Sequence, residues 1–325
     1  MNSTTRKPSV VILIPTYNSA STVVETLQSI LQLGNELNDV QSVVIADDGS
    51  SDNTLDLVEK TWQSPVQLII RKAVRNRGEY TNVNEAVASM SDGVEWFCIM
   101  HSDNLAKPGW VRMLAEQARK ADARVGSICT SWDNLLLDGR VIPGENLPDA
   151  EPRKIIGSPA AVYDTLLQGC WWHNSTAAIR VEAFRKLGGM PAGQGLRQKG
   201  DWDFLLRMLV NGFDIIYLPR TLMIYRDTAI SLSAQNLLRH LELLESDVLV
   251  RRYSAGCPVT RLVRIYTKLL GYSLRKIASS IVRGQGRRLI GAIRASGILA
   301  LGFVRAILSR GDSINAPYIE AQKSG

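Results

Sequence analysis

Cysteine is scarce in these 325 residues: the four present, Cys98, Cys129, Cys170 and Cys257, lie far apart and show no C-x-x-C spacing. That pattern argues against a disulfide framework or a structural zinc site, and it fits a reducing compartment. A long apolar run is lacking near the start. Arg6 and Lys7 precede only Val10 to Ile14, too short for a signal-peptide core, so the chain is expected to begin as the mature protein. No glycine- and lysine-rich loop follows, and without that triphosphate cradle between Pro15 and Ser21 nucleotidyl transfer is a poor reading. Acidic residues are nearly missing from the far end. Residues 1–250 hold 24 Lys+Arg against 29 Asp+Glu, whereas residues 251–325 hold 14 against 2, so the formal charge of +7 comes from the tail. Such a tail suits an anionic surface, but no aromatic stacking platform accompanies it, and nucleic acid is not an expected partner.

The acidic part repeats one order of elements. Val10 to Ile14 is a β-branched run ended by Pro15, read as a strand buried on both faces. Val24, Leu27, Ile30 and Leu31 then give a helical stripe, with Ser21 as its expected cap. Strands are expected again at 42–46, 66–71 and 95–100, and helices at 53–62 and 81–90. Alternation of this kind predicts a doubly wound, mostly parallel α/β sheet flanked by helices, with ligands collecting at the carboxyl ends of the strands. Residues 133–160, with four prolines, read as a long irregular loop, and 177–186 and 202–210 read as helices.

Polar clusters fall where the strands end: Pro15-Thr16-Tyr17-Asn18, Asp47-Asp48-Gly49-Ser50, Asn76-Arg77-Gly78 with Asn84, and His101-Ser102-Asp103-Asn104. Asn, Asp, Gly and Ser also suit plain turns. Gly200-Asp201-Trp202-Asp203 and Tyr225-Arg226-Asp227-Thr228 follow further on. In order and spacing these clusters resemble the family 2 glycosyltransferases, inverting enzymes of the GT-A fold, of the kind that builds bacterial cell-surface polysaccharides. The resemblance covers roughly residues 9 to 233.

It implies a nucleotide-diphosphate sugar donor held by Pro15, Thr16, Tyr17, Asn18, Asp48, Asn76, Gly78, Asn84, Ser102 and Asp103, with Asp48 on the base. Asp103 stands at the family's metal-touching acidic residue, and His101 replaces the first acidic residue of its D-x-D motif. The implied cofactor is a divalent ion, Mn or Mg, on Asp103 with His101, which would neutralise the leaving diphosphate. Thr228 stands where relatives often carry a metal-binding histidine. Val83 replaces an arginine that many relatives place before Asn84, so charge for the phosphates must come from elsewhere, with Arg75 and Arg77 as candidates. Asp201 is the implied base that takes the acceptor proton, and it also suits a helix N-cap. Asp203 is expected to face away toward surrounding loops, and His173 to touch an acceptor sugar or to join an aromatic cluster.

The expected activity is transfer of a sugar with inversion to a hydroxyl of a glycan or lipid-linked acceptor. The alternative is a degenerate transferase that binds a nucleotide-sugar or glycan without turnover. From Arg251 to Arg310 thirteen basic residues and no acidic one are interleaved with apolar residues. An in-plane amphipathic helix pair on anionic lipid suits this pattern, although Leu289 to Ser309 is long enough to cross a bilayer. The expected organisation is a catalytic domain over 1–235, a basic helical appendage on the membrane over 236–310, and a tail over 311–325. The place is cytoplasmic, peripheral on the inner face of the membrane.

Overall fold

A computed structural model of the chain describes residues 10–227 and 240–308. Contacts divide it into two compact units, the first made of residues 1–157, 172–194 and 207–228 and the second of 158–171, 195–206 and 229–325.

The first unit is built on β1, Val10–Thr16, every residue of which is buried. A strand with two apolar faces needs cover above and below and partners on both edges, and β1 has parallel partners in β2 (Val40–Asp47) and β4 (Trp96–Ile99). β3, Gln67–Lys72, continues the parallel pairing beyond β2. Helices α1 (Val23–Leu31), α2 (Thr54–Thr61) and α3 (Glu79–Ala88) connect these strands. Val23, Leu27 and Ile30 of α1 join Ile12, Ile14, Val43 and Ile45 in the main apolar core. The first helix starts later than expected, after Thr22 and without a side-chain cap, because the Ser19 carbonyl accepts from the amides of Thr22 and Val23 instead.

Beyond β4 the sheet becomes mixed. β5 (Leu105–Ala106) and α4 (Trp110–Lys120) follow β4, then the long β6, Val125–Leu135. The expected irregular loop is only partly irregular, since β7 (Val141–Ile142) and β8 (Arg153–Ile155) pair with neighbouring strands. Residues 177–186, expected to be one helix, divide into β9, Ala177–Arg180, and α6, Val181–Lys186. β9 lies antiparallel between β4 and β6, a place that overrides helix propensity. The last strand, β10 (Asp214–Arg226), runs parallel to β6.

The second unit holds α5 (Pro159–Gln168), the start of α7 (Gly200–Val210), and three further helices, α8 (Leu241–Tyr253), α9 (Val259–Val282) and α10 (Gly286–Leu308). On α10 the small residues Ala292, Ala295, Gly302 and Ala306 with Leu299 form the buried face. Part of the basic face expected on α9 is used internally. Arg261 pairs with Asp164 at 2.9 Å, and the Lys268 ammonium donates to the carbonyls of Leu167 and Gln168 at the end of α5. The last-turn carbonyls of a helix favour a cation, so these charges fasten α9 to α5.

Candidate active site

Strand register brings the polar clusters to one edge of the first unit's sheet. Thr16 pairs with Asp47 and Asp47 with Lys72, while Leu13 pairs with Ile99, so the chain leaves β1, β2, β3 and β4 on the same side. Because β9 runs antiparallel to β4, the residues just before it, His173 to Thr176, return to that edge. β10 ends there too, which brings Arg226 alongside Asn104, where the Arg226 amide donates to Asn104 Oδ1 at 3.1 Å.

The loops after β1 and β2 are tied by short polar side chains. Asp47 is fully buried and accepts from the Thr16 hydroxyl at 3.0 Å, the Ser50 amide at 2.9 Å and the Ser50 hydroxyl. Asn18 adopts a left-handed backbone with φ 48°. Its amide donates to Ser50 Oγ and its Oδ1 accepts from the Ser51 amide, both at 2.9 Å. Among the residues expected to hold the donor, Asn18 therefore braces the two loops. Tyr17 leaves its aromatic face 48% exposed at the edge, and Pro15 and Thr16 are buried beneath it. Gly49 has φ +79°, and a Cβ there would come within 2.9 Å of the Arg75 backbone. The glycine of the Asp-Asp-Gly-Ser turn is thus required by both its conformation and the close approach of the next loop.

That next loop is gripped by Asp48, only 2% exposed. Its carboxylate accepts from the Arg77 amide at 3.0 and 3.1 Å and from the Gly78 amide at 2.8 Å, while Asn76 Oδ1 accepts from the Gly78 amide at 3.0 Å. Arg77 pairs its guanidinium with Glu85. A cavity of about 390 Å³ at the end of β3 is lined by Arg71, Lys72, Arg75, Arg77 and Glu85, a size within the range of small-ligand sites. Asn84 serves the scaffold, since its side-chain amide donates to the Met190 carbonyl at 2.9 Å and accepts from the Met190 amide at 2.7 Å. Val83 is 1% exposed, packed within the unit.

The loop after β4 carries the densest charge. His101 Nε2 donates to Glu79 Oε1 at 2.8 Å, and Nδ1 shares a hydrogen bond of 2.7 Å with Ser175 Oγ. Both ring nitrogens are therefore engaged with protein groups in this structure, Glu79 on one side and Ser175 on the other. Serine, imidazole and carboxylate in line invite comparison with a hydrolase relay, but Ser175 is fully buried and its Oγ also accepts from Asn104 Nδ2 at 3.2 Å. The line fixes the ring and offers no nucleophile. Ser102 Oγ bonds Ser19 Oγ at 2.8 Å, joining this loop to the one after β1.

Burial pushes the Glu79 carboxyl up, but the facing imidazolium of His101 and its hydrogen bond outweigh this and hold it below its ordinary value. Asp103 is pushed above its ordinary value by burial and by Glu79, against the opposing pull of His101 and Arg226. Arg226 is the cation that motif reading missed. Its guanidinium is 17% exposed and pairs with Glu25, and its Nε is buried without a hydrogen-bond partner among the described residues. The signal available was the lost arginine at Val83, which required a positive charge from another strand.

His173 packs edge-on against His101 and Tyr225, with centroids 5.9 and 5.1 Å away, and its Nδ1 accepts from the Ser175 amide. Burial, then the neighbouring His101 charge, push it down to about 3. The unfolded chain binds a proton near pH 6.5 that the folded chain refuses, so this group's contribution to stability is complete above 6.5 and is lost as pH falls toward about 3. His173→Phe is expected to flatten that limb of the stability profile in urea titrations stepped through pH. An unchanged slope would show that the ring is charged in the fold.

Among the described residues no three His, Cys, Asp or Glu side chains come together as a metal cage. Magnesium seldom uses one, binding through one or two carboxylates with waters and substrate phosphates. Asp103 fits that mode. Thr228, at the place of a further family ligand, lies outside the described residues.

In the second unit, Asp201 is the second residue of α7, in its first turn, where the helix dipole favours an anion. Asp203 is fully buried and turns to α8 instead of to loops, accepting from Arg252 Nη1 at 2.6 Å and the Tyr253 hydroxyl at 2.8 Å. Glu245, also on α8, accepts from the consecutive amides of Arg197, Gln198 and Lys199 at 2.9, 2.9 and 2.8 Å.

Comparison with known proteins places these features. The family model for glycosyl transferase family 2 matches residues 11–154. The succinoglycan biosynthesis protein ExoO of Rhizobium meliloti is 31% identical over 133 residues, 41% of this chain and 36% of that protein. The first curated relatives are matched over less than half of their length. Among solved structures, S. aureus TarS 1–349 in complex with UDP-GlcNAc covers 90% of this chain and 92% of its own at TM-score 0.57 and 15% identity. The mannosyltransferase PcManGT from Pyrobaculum calidifontis, in complex with GDP-Man and Mn2+, covers 94% and 87% at TM-score 0.54 and 17% identity. Likeness at such identities carries the fold: the chain has the GT-A fold, and a stretch of less than half its length, residues 11–154, is similar to the family 2 glycosyltransferases.

Proposed function

We propose that this chain transfers a sugar, with inversion, from a nucleotide-diphosphate donor to a hydroxyl of a glycan or lipid-linked acceptor, at the cytoplasmic face of a membrane. The observation that carries the reading is the gathering of Tyr17, the Asp48-gripped loop, Asp103 and the buried guanidinium of Arg226 along one sheet edge. Donors named for the structural neighbours, UDP-GlcNAc and GDP-Man, set the class to be tried.

In this reading Tyr17 and the loop at Asn76 to Gly78 receive the base, with Asp48 fixing that loop and accepting from the base. Arg226 holds the diphosphate and stabilises the charge that grows as the sugar leaves. A divalent ion, Mg or Mn, would sit on Asp103 and supply further neutralisation of the leaving group. Asp201 takes the acceptor proton as the hydroxyl oxygen attacks the anomeric carbon. The other reading, a binder without turnover, is favoured by the finding that no three His, Cys, Asp or Glu side chains among the described residues form a metal cage.

The test is product formation from a panel of UDP and GDP sugars with lipid-linked and soluble glycan acceptors, with and without Mn2+. Tight donor binding with no turnover of any pair would sink the transferase reading. The same assay is expected to lose activity in Asp103→Asn. Because burial and Glu79 disfavour the Asp103 carboxylate, that variant should also unfold at a higher temperature at neutral pH than the parent.

A further inference from the structure

The outer face of α10 is the surface the fold leaves unused. Ile290 is 70% exposed, Ile293 54%, Leu301 60%, Val304 50% and Leu308 75%. At about 100° per residue these five fall within about 80° of one another, opposite the small residues that pack inward. Arg287, Arg294 and Arg305 run along one margin of the stripe, within about 20° of a common line. The described residues after Asp247 contain no acidic side chain.

We infer that α10 docks in the plane of an anionic lipid bilayer by this face, its apolar stripe entering the acyl boundary and its arginine line meeting lipid phosphates. The inference deepens the membrane placement proposed above and names its surface. Charge complementarity selects the occupant: an apolar partner protein would fit the stripe, but three arginines along its margin, with no acidic side chain among the described residues after Asp247, call for a phosphate-rich surface.

The same helix passes the length and hydropathy test for a membrane span, with 28% of its apolar window buried. Its inner face excludes that role. A Cβ on Gly302 would lie 2.5 Å from Asp247 Oδ1 and 2.9 Å from the Tyr266 ring, and Ser296 Oγ donates to Ser273 Oγ at 2.9 Å. Asp247 is 2% exposed and holds Arg251 at 2.9 Å and the Tyr266 hydroxyl at 3.1 Å. Lifting α10 into hydrocarbon would uncover this carboxylate and carry the Arg294 charge and the Ser296 hydroxyl into the bilayer interior, where charged and polar groups are costly. Lying flat keeps every inner contact.

The experiment sediments the full chain with phosphatidylcholine vesicles, neutral or containing about one-third phosphatidylglycerol. Binding is expected on the anionic vesicles. Replacing Arg287, Arg294 and Arg305 by glutamine together should weaken it about 100-fold, roughly fivefold per arginine. Ile293→Asp with Leu301→Asp should abolish it, and thermal unfolding of both variants should stay at the parent value because all five positions are exposed. Tryptophan at Ile293 should be quenched most by lipids brominated near the headgroup. Quenching that peaks at the bilayer centre, equal binding to both vesicles, or a dimer dissolved by Ile293→Asp in place of vesicle binding each overturns the proposal. Transfer to a soluble acceptor without vesicle binding sinks the docking face alone, and vesicle binding without transfer sinks the enzymatic reading alone.

Discussion

Asp201→Asn is expected to lower the turnover of sugar transfer by ~10²–10⁴, the range carried by a positioned general base, while leaving donor affinity unchanged. The substitution keeps the shape of the side chain and its capacity to accept hydrogen bonds in the first turn of α7, so it separates proton abstraction from capping. A residue that only caps would cost ~1 kcal/mol of stability on mutation and nothing in turnover per folded molecule. Measuring product formation beside calorimetric titration of the donor distinguishes the two. Turnover at the parent level would remove Asp201 from the chemistry, and loss of donor affinity would assign it to binding.

Two residues along the same helix the opposite effect is expected. Asp203 is fully buried against Arg252, itself 17% exposed, and against the Tyr253 hydroxyl. Burial pulls the guanidinium pKa down, yet Asp203 and its hydrogen bond raise it above its ordinary value. Asp203→Ala would leave that guanidinium buried without its anion, a loss of about 3–5 kcal/mol. It should appear in urea unfolding as a lowered midpoint for the helical unit. Asp203→Asn, which keeps one acceptor oxygen and loses the charge, should fall between the parent and the alanine variant, and the double variant Asp203→Ala with Arg252→Met should recover much of the loss. If the single alanine variant unfolds at the parent midpoint, the pair contributes no net stability. Together the two aspartates form a control for each other: one expected to act on rate, the other on folding.

Much of the first unit was legible from residue order. β-branched runs ended by Pro15 and Asp47 announced parallel strands, and the polar clusters after them lie at the edge where such sheets bind ligands. What could not be read was any role created by pairing across distant chain segments. Asn84 looked like a ligand residue but is bound to the backbone of Met190, 106 residues on. His101, expected to face a metal, has its ring held between Glu79 and Ser175, a contact that residue order did not announce because Ser175 is brought in ahead of a strand that sequence assigned to a helix. Arg226 stood in a motif already noticed, yet its service to the site depends on β10 running parallel to β6, which no local pattern states. In the tail, alternation of charge and apolarity gave the helices, while the use of Arg261 and Lys268 against α5 was decided by tertiary packing.

The grip of Glu245 bears on how this protein could change over time. It takes hold of three successive main-chain amides and touches none of the attached side groups. The path of the segment leading into α7 is thereby uncoupled from its lettering. Arg197, whose side chain is exposed, could be exchanged for almost any residue except proline, which lacks the amide hydrogen, without loosening that hold. Lys199, whose ammonium lies over the Trp202 ring, is less free to vary, so drift in this segment should gather at its first position while the main chain stays still.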